Sequence, residues 1–259
     1  MIIAAEFRRF LVLLMSVSIA VLLISCSFAG KAKEEAIASM GGENVELSLF
    51  KKIMDDQAYN VRVQFDGEYG IKLGDDPKEW EKEYKEGTPL DMLKELSLDE
   101  AEKTKAILLV ARDRGLIKTT AYGDILKYDN ESLKNAFKVK INEAEIGNLS
   151  IYDRDVFLRF MEIVKYELKK DVRNTVDRED IEDYVKKHGA GAIKDYVRIS
   201  PGAEKDESRL VDDIVSNEQK FSVLKDLVRD DKYNGLIEQK IKSSATEVNE
   251  EVYRKVTFS

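Results

Sequence analysis

Cysteine, histidine and proline are scarce in this chain of 259 residues. It contains one Cys, one His and three Pro. A single Cys excludes a disulfide within the chain, and with only one His it cannot supply the usual Cys and His ligands of a zinc site. Because there are also only 14 Gly, little interrupts helices. Charged residues make up 36% of the chain, so we expect long helices with well-solvated outer faces.

Sequence motifs of catalysis are missing as well. The chain has no H-E-x-x-H, no G-x-S-x-G and no Cys–His pair. Residues 189–192 (GAGA) follow a predicted helix and precede an extended segment, which is the reverse of the order in a phosphate-binding loop. Asp66, Glu68, Asp75 and Asp76 lack the spacing of a calcium loop, so we interpret them as a solvated loop, with an incidental cation site as the alternative. No cofactor or metal is expected.

The one histidine, His188, precedes Gly189 at the predicted end of a helix. A cation is favourable at a helix C-terminus, and this is our interpretation of His188. The alternative is a catalytic base or a metal ligand, but the chain offers no second His or Cys to work with it.

The first residues of the chain have the pattern of a lipoprotein signal. Arg8 and Arg9 supply a positive start, and residues 10–24 are uncharged. That run has the length of a signal core and is shorter than the roughly 20 apolar residues of a spanning helix. It ends in residues 23–26 (LISC), which match a lipobox. We therefore predict cleavage after residue 25 and lipid attachment at Cys26. A plain membrane anchor with an incidental Cys is the alternative.

Lipidation also accounts for the lone thiol, which would otherwise be an unexplained reactive group in an exported protein. Cleavage removes two of the 42 basic and one of the 50 acidic side chains, so the net charge becomes −9. An acidic body disfavours nucleic acid and anionic lipid, so membrane attachment must come from the acyl chains. We expect a bacterial cell-envelope protein on the extracytoplasmic face, with residues 26–40 as a tether and residues 41–259 as one domain. A one-membrane and a two-membrane envelope both fit.

Apolar periodicity and capping residues predict an all-α fold. The predicted helices begin at Ser48, at Thr88, at Thr120, near Ser150 and at Asp177. The helix after Thr88 is one long helix ending at Gly115, with a second start at Ser97 as the alternative. Two closing helices are expected over residues 216–230 and 233–245. Short strand candidates occur only at residues 61–65 and 196–199.

The order of these elements resembles the chaperone domain of SurA-like and PrsA-like peptidyl-prolyl isomerases. Three stretches carry the likeness, and they are residues 42–50 (GENVELSLF), 106–117 (AILLVARDRGLI) and 176–184 (VDREDIEDY). The aromatic-rich helix 152–168 and the closing residues 233–253 also resemble the family. Leu49 stands where the family prefers an acidic residue. The resemblance covers most of residues 41–259, and it implies a helical lobe whose C-terminal helices pack back on the N-terminal ones.

The family's catalytic domain has no counterpart here. A parvulin domain would follow the helix ending at His188, but only residues 189–215 occupy that place, as a loop or a reduced domain. Parvulin sites use a pair of His side chains, and this chain has one. The resemblance therefore implies a chaperone lobe without isomerase activity.

Four aromatic residues outside the strongest apolar stripe are the candidate polypeptide-binding residues. They are Phe65, Tyr69, Trp80 and Tyr84, with a place for Trp80 in a satellite core as the alternative. The expected partners are unfolded or newly exported polypeptides, held by burial of their apolar side chains at about 25 cal/mol per Å². The acidic rim should suit basic segments. An interaction lipoprotein that docks one folded partner and a divergent isomerase are the alternative functions.

Overall fold

The structure is a computed structural model that describes residues 34–85, 87–128, 132–133 and 155–258. Residues 36–259 form one compact unit. Its described residues contain nine α-helices and three short β-strands. The prediction of a helical fold is therefore confirmed in its coarse form, and the small sheet is an addition.

The sheet has the strand order β2-β1-β3 and is antiparallel throughout. Strand β1 is Ala36–Met40, β2 is Glu43–Glu46 and β3 is Thr246–Val248. Ile37 and Met40 in β1 are fully buried. The prediction that residues 26–40 are a tether is therefore wrong for residues 36–40, because they form the central strand of the sheet.

Two long helices form the centre of the main core. Helix α1 is Leu47–Tyr69, and α3 is Pro89–Asp113, which packs along it. Helix α1 begins after Glu46 without a side-chain cap, so the predicted cap at Ser48 is wrong by two residues. Thr88 accepts a hydrogen bond from the Asp91 amide and Pro89 occupies the first turn, so α3 starts as predicted. It runs unbroken past Ser97, which confirms one helix.

Two short helices and one long helix also contribute to the main core. They are α2 (Pro77–Trp80), α4 (Tyr122–Ile125) and α5 (Val156–Asn174). Asp155 caps α5 by accepting from the Phe157 amide at 2.8 Å. The predicted helix over residues 120–137 is helical at Tyr122–Ile125 and then turns, while most of its second half and the capping box at Ser150 lie outside the described residues.

Helix α6, Arg178–Ile193, packs into a second, smaller core. The helix starts at Asp177 as predicted, where Asp177 and Asp180 form a capping box, and the helical geometry breaks at Gly189. The chain continues through a 3₁₀ turn, Ala203–Lys205, into α7, Glu207–Val215. Residues 189–215 are thus mostly helical, and they help to enclose the smaller core. It is built from Val176, Ile181, Val185, Ile193, Val197, Leu210, Val211, Ile214, Leu224 and Val228.

One helix, α8 (Glu218–Ser243), connects the two cores. Leu224 and Val228 belong to the smaller core, whereas Tyr233 and Ile237 belong to the main core. The prediction of two helices separated near residue 231 is therefore wrong. The charged residues near position 231 form ion pairs with side chains of α5 and α6, and α8 is unbroken at this point.

The C-terminal residues return to the start of the folded unit. Strand β3 pairs with β1 through Ala38 and Val248, and α9, Glu250–Lys255, packs on the same strand. The Tyr253 and Phe50 rings lie 6.1 Å apart between centroids. The closing segment therefore packs back on N-terminal elements.

Candidate functional site

Two of the predicted polypeptide-binding residues lie in the main core. Phe65 is 1% exposed and Trp80 is 0% exposed. Phe65 falls within α1, one turn after Val61 and on the same buried face, so the interpretation of residues 61–65 as a strand is wrong. The indole nitrogen of Trp80 donates to the Gly74 carbonyl at 3.0 Å. In this conformation neither side chain is available to a client polypeptide.

The other two predicted residues, Tyr69 and Tyr84, are half-buried against this core. Their rings pack on Phe65, with centroid distances of 5.1 Å and 5.6 Å. Trp80 stacks on Phe258 at 4.1 Å on the same side of the molecule. The structure thus brings the four aromatic residues to one end of α1, where they serve packing.

Of the four carboxylates predicted to share one solvated loop, Asp66 and Glu68 lie in α1 instead, so the prediction is wrong for these two. The other two, in the loop after α1, have partners within the protein. The Asp75 carboxylate pairs with Arg62, and Asp76 caps α2 by accepting from the Lys78 amide at 3.0 Å. No group of His, Cys, Asp and Glu among the described residues has the arrangement to hold a metal ion.

A shallow cleft opens between α6 and α8, and we name it the α6–α8 cleft. Its cavity volume is about 180 Å³, which corresponds to about six water molecules in the liquid. It is lined by Asp180, Asp183, Tyr184, Lys187, Val228, Asp231 and Lys232. An amino-acid side chain fits a cavity of this volume.

Two crossed ion pairs join the walls of the cleft. Lys187 on α6 lies 2.8 and 2.9 Å from the two oxygens of Asp231 on α8. Lys232 on α8 lies 2.7 Å from both oxygens of Asp180 on α6. Because each lysine contacts both oxygens of one carboxylate, both cations are compensated within the protein.

Asp183 stands apart from these pairs on the rim of the cleft. Its side chain is 72% exposed, and its ion pair with Lys186, on the same helix, is 3.5 Å long. A contact of this length between exposed groups contributes little free energy. Asp183 is therefore the carboxylate of the cleft that is most open to an incoming group.

Aromatic rings form one edge of the cleft. The Tyr184 and His188 rings lie 4.3 Å apart between centroids, and His188 Nε2 is 3.9 Å from the Asp231 carboxylate. Burial, together with the nearby Asp231 and Tyr196, raises the pKa of Tyr184, although Lys187 opposes the shift. Burial is the largest of these causes, and the Asp231 carboxylate adds a negative charge beside the rings.

The cleft presents carboxylate, ammonium, phenol and apolar side chains. Its lining contains no Ser, Thr or Cys side chain, and the Tyr184 hydroxyl has its pKa raised. A phenol that resists ionisation is a poor nucleophile at neutral pH. No local sequence pattern indicates that residues near 183 and 231 meet, so the cleft could not be predicted from the sequence.

A buried lysine forms a second polar centre, at the junction of β2, α3 and α4. Lys105 is 1% exposed, and its Nζ donates to the Thr120 carbonyl at 3.1 Å and lies 3.9 Å from Glu46. Burial lowers the pKa of Lys105 against the opposing effect of Glu46 and Glu43. Glu43 in turn accepts from Thr120 at 2.9 Å. This cluster ties the chain before α4 to the sheet, and Lys105 is enclosed by it.

Several large apolar side chains are exposed at the surface of the described residues. Tyr59 is 69% exposed and Val63 is 53% exposed, and they lie one turn apart on the outer face of α1. Tyr196 is also exposed, and it lies near enough to Tyr184 in the α6–α8 cleft to contribute to the raised pKa of that tyrosine.

No family model matches the chain, and no curated protein or solved structure matches it either. In the part of the chain that the structure describes, no helix is both long and apolar enough to cross a bilayer. Residues 10–24 and Cys26 lie outside that part.

Proposed function

We propose that this protein is a lipid-anchored, extracytoplasmic, chaperone-like protein that binds unfolded or newly exported polypeptides without isomerase activity. The observation that carries the binding role is the α6–α8 cleft, which is open and side-chain-sized, with aromatic and acidic walls. Such a cleft suits weak contacts with many sequences more than one tightly held substrate.

The proposed location rests on residues 1–26. Their positive start, uncharged run and Leu-Ile-Ser-Cys ending support export and lipid attachment at Cys26. The folded unit begins at residue 36, so few residues remain for the tether.

Two features of the fold support the proposed SurA-like character. The closing strand and helix pack on the first strand, as the resemblance implies. Residues 189–215, at the point in the chain where the family inserts its isomerase domain, contribute Val197, Leu210 and Ile214 to the smaller core. Fold resemblance alone does not establish function, so the proposal depends on a direct test.

An interaction lipoprotein that docks one folded partner is the second candidate. The exposed side chains of Tyr59 and Val63, one turn apart on α1, favour it, since a defined partner could cover both. A pulldown dominated by one stoichiometric protein would support this candidate over the first.

Chaperone activity is tested by aggregation of a chemically denatured exported protein on dilution. Residues 31–259 include the whole compact unit, and we expect them to suppress light scattering when present in several-fold molar excess. An acidic helical protein of similar size serves as the control. Unchanged scattering at that excess contradicts the proposal.

Lipid anchoring is tested separately by Cys26→Ser. We expect the protein to move from the membrane fraction to the soluble or unprocessed pool, because the serine hydroxyl cannot take up the thioether-linked lipid. Ser27→Ala, at the neighbouring position, is the matched control and should stay in the membrane fraction. Metabolic labelling with a radioactive fatty acid gives an independent measurement.

A further inference from the structure

We infer that the outer edge of strand β3 binds an extended segment of a client polypeptide, which joins the sheet as a fourth strand. The inference rests on the proposed function for the kind of client. It adds a binding surface that is separate from the α6–α8 cleft.

Strand β3 lies at one end of the sheet, beside β1. The Asn249 amide donates to the Ile37 carbonyl at 2.9 Å, and main-chain groups alternate between the two sides of an antiparallel strand. Glu247 therefore directs its N–H and C=O towards β1, whereas Thr246 and Val248 direct theirs to the outside. In the described part of the chain no main-chain group bonds to these four outer groups. They have the spacing that an extended chain can match with its own main-chain groups.

The opposite edge of the sheet is less accessible, because β2 packs against α1 and α3. The Tyr122 amide donates to the Glu46 carboxylate at 3.1 Å, and Arg112 on α3 pairs with Glu43. Strand β3 packs mainly on β1, and Glu247 at its centre is exposed. An incoming strand therefore meets fewer obstacles at β3.

The apolar face of the sheet indicates which client segment fits. Thr246 and Val248 are half-buried and lie opposite Met40 and Ala38, which are buried in the main core. Client residues that pair with Thr246 and Val248 place their side chains on this same face. Apolar side chains there extend the apolar layer, so we expect a client that is apolar at every second position.

Glu247 favours basic residues at the positions between. Its side chain is exposed, and the client residue across from it belongs to a non-hydrogen-bonded pair, in which side chains are closest. A lysine or arginine at that position forms a cross-strand ion pair with Glu247. A second copy of β3 centred on this residue brings another glutamate there, and the net charge of −8 also repels a second copy. Charge therefore favours a basic client over self-association.

The test measures fluorescence anisotropy of a short labelled peptide, in which valine and lysine alternate, with the full chain in a nonionic detergent. Two further peptides carry N-methyl groups, one on its valines and the other on its lysines. We expect methylation of the valines to weaken binding at least about tenfold, because the valine N–H groups face β3. Methylation of the lysines should change the affinity less than about twofold. All three peptides have the same charge, so long-range attraction does not affect the comparison.

Val248→Pro tests the same contact from the side of the protein. It removes an outer N–H and leaves the hydrogen bonds to β1, and proline is tolerated on an edge strand in this position. We expect it to weaken binding of the unmethylated peptide about tenfold. Val248→Thr is the matched control, since it keeps the N–H in a β-branched side chain of similar size, and it should change the affinity less than about twofold. Far-ultraviolet circular dichroism verifies that both variants are folded, and the peptide comparison does not depend on either variant.

Equal affinities of the two methylated peptides would overturn the inference, because binding would then not use the main chain in this register. A dimer of the full chain that Val248→Pro dissociates, measured by analytical ultracentrifugation, would overturn it too, since a second copy would then occupy the edge. If the peptide does not bind but the protein still suppresses aggregation, the inference fails and the proposed function stands. If neither occurs, both fail.

Discussion

Asp213 shows how a single side chain stabilises the smaller core. Its carboxylate accepts from the Ser200 amide at 3.0 Å and from Lys220 Nζ at 2.7 Å, and it also accepts from the Ser200 hydroxyl. Burial opposes ionisation, yet the hydrogen bonds from Lys220 and Ser200 lower the pKa of Asp213 to about 2. Asp213 thus ties the segment before the 3₁₀ turn to α7 and α8.

This arrangement predicts a defined acid sensitivity. Because folding lowers the pKa of Asp213, its contribution to the free energy of unfolding is complete above about pH 4 and disappears as the pH falls through 2. Asp213→Asn should cost about 1 kcal/mol at neutral pH and clearly less near pH 2, where the native carboxyl is half protonated. Urea unfolding between pH 2 and pH 7 measures the difference.

Asp195→Asn is the control for this effect, because it removes an exposed aspartate of the same region. A difference between wild type and Asp213→Asn that is constant over the whole pH range would contradict the role given to Asp213.

At the scale of elements, the break in α6 at Gly189 separates two helical stretches. Gly189 has φ 73° and ψ 167°, a region of backbone space that is essentially open to Gly alone. A Cβ added there meets no atom within 4 Å. The cost of a substitution is therefore that of the backbone conformation.

Two glycine substitutions should have opposite effects on stability. Gly189→Ala is expected to lower the free energy of unfolding by about 1–3 kcal/mol. Gly235→Ala, inside α8 and also without neighbours within 4 Å, should raise it by about 0.5–1 kcal/mol. Chemical denaturation of both variants measures this. Equal effects of the same sign would mean that α6 is not broken at Gly189.

The elements differ in how well local sequence predicts them. Helix α3 was predictable because Thr88 and Pro89 define its start and its apolar stripe continues to Ala111. The break predicted in α8 was wrong, since its middle carries charged residues that look like a linker. Those residues, among them Asp231 and Lys232, form ion pairs with α6 that become visible only in the folded chain.

At the scale of the whole molecule, the C-terminal segment packs on Trp80 of the main core, the only tryptophan of the chain. The Phe258 ring stacks on Trp80 at 4.1 Å, and the Arg62 guanidinium lies 5.4 Å from the Trp80 ring centroid. Residues more than 170 positions apart thus share one packing unit.

Phe258→Ala should expose one face of Trp80. Because Phe258 is half-buried, we expect a loss of about 1–2 kcal/mol, below that of a fully buried phenylalanine. Tryptophan emission should shift to longer wavelength, and it reports on Trp80 alone. Phe258→Leu keeps the apolar contact and should shift emission less. Identical emission in wild type and Phe258→Ala would show that Phe258 does not cover the indole.

The candidate site shows most clearly what local pattern cannot provide. Phe65, Tyr69, Trp80 and Tyr84 were chosen because periodicity did not force them inward, yet they pack together at the end of α1. The burial of Trp80 depends on Phe258, which lies more than 170 positions further along the chain, and that of Phe65 depends on the packing of α1 along α3. The cleft that replaces them as candidate site pairs residues about 50 positions apart.

The sequence by itself determined the helical class, several helix starts and the prediction of lipid attachment at Cys26. These depend on hydrogen bonds and apolar spacing among neighbours in the chain, which a sequence displays directly. Only the tertiary structure decided which aromatics are buried and where a cleft forms, and only it made a strand of Ala36–Met40. A strand this short is stable only beside its partners, and one of them, Thr246–Val248, lies some 200 residues away.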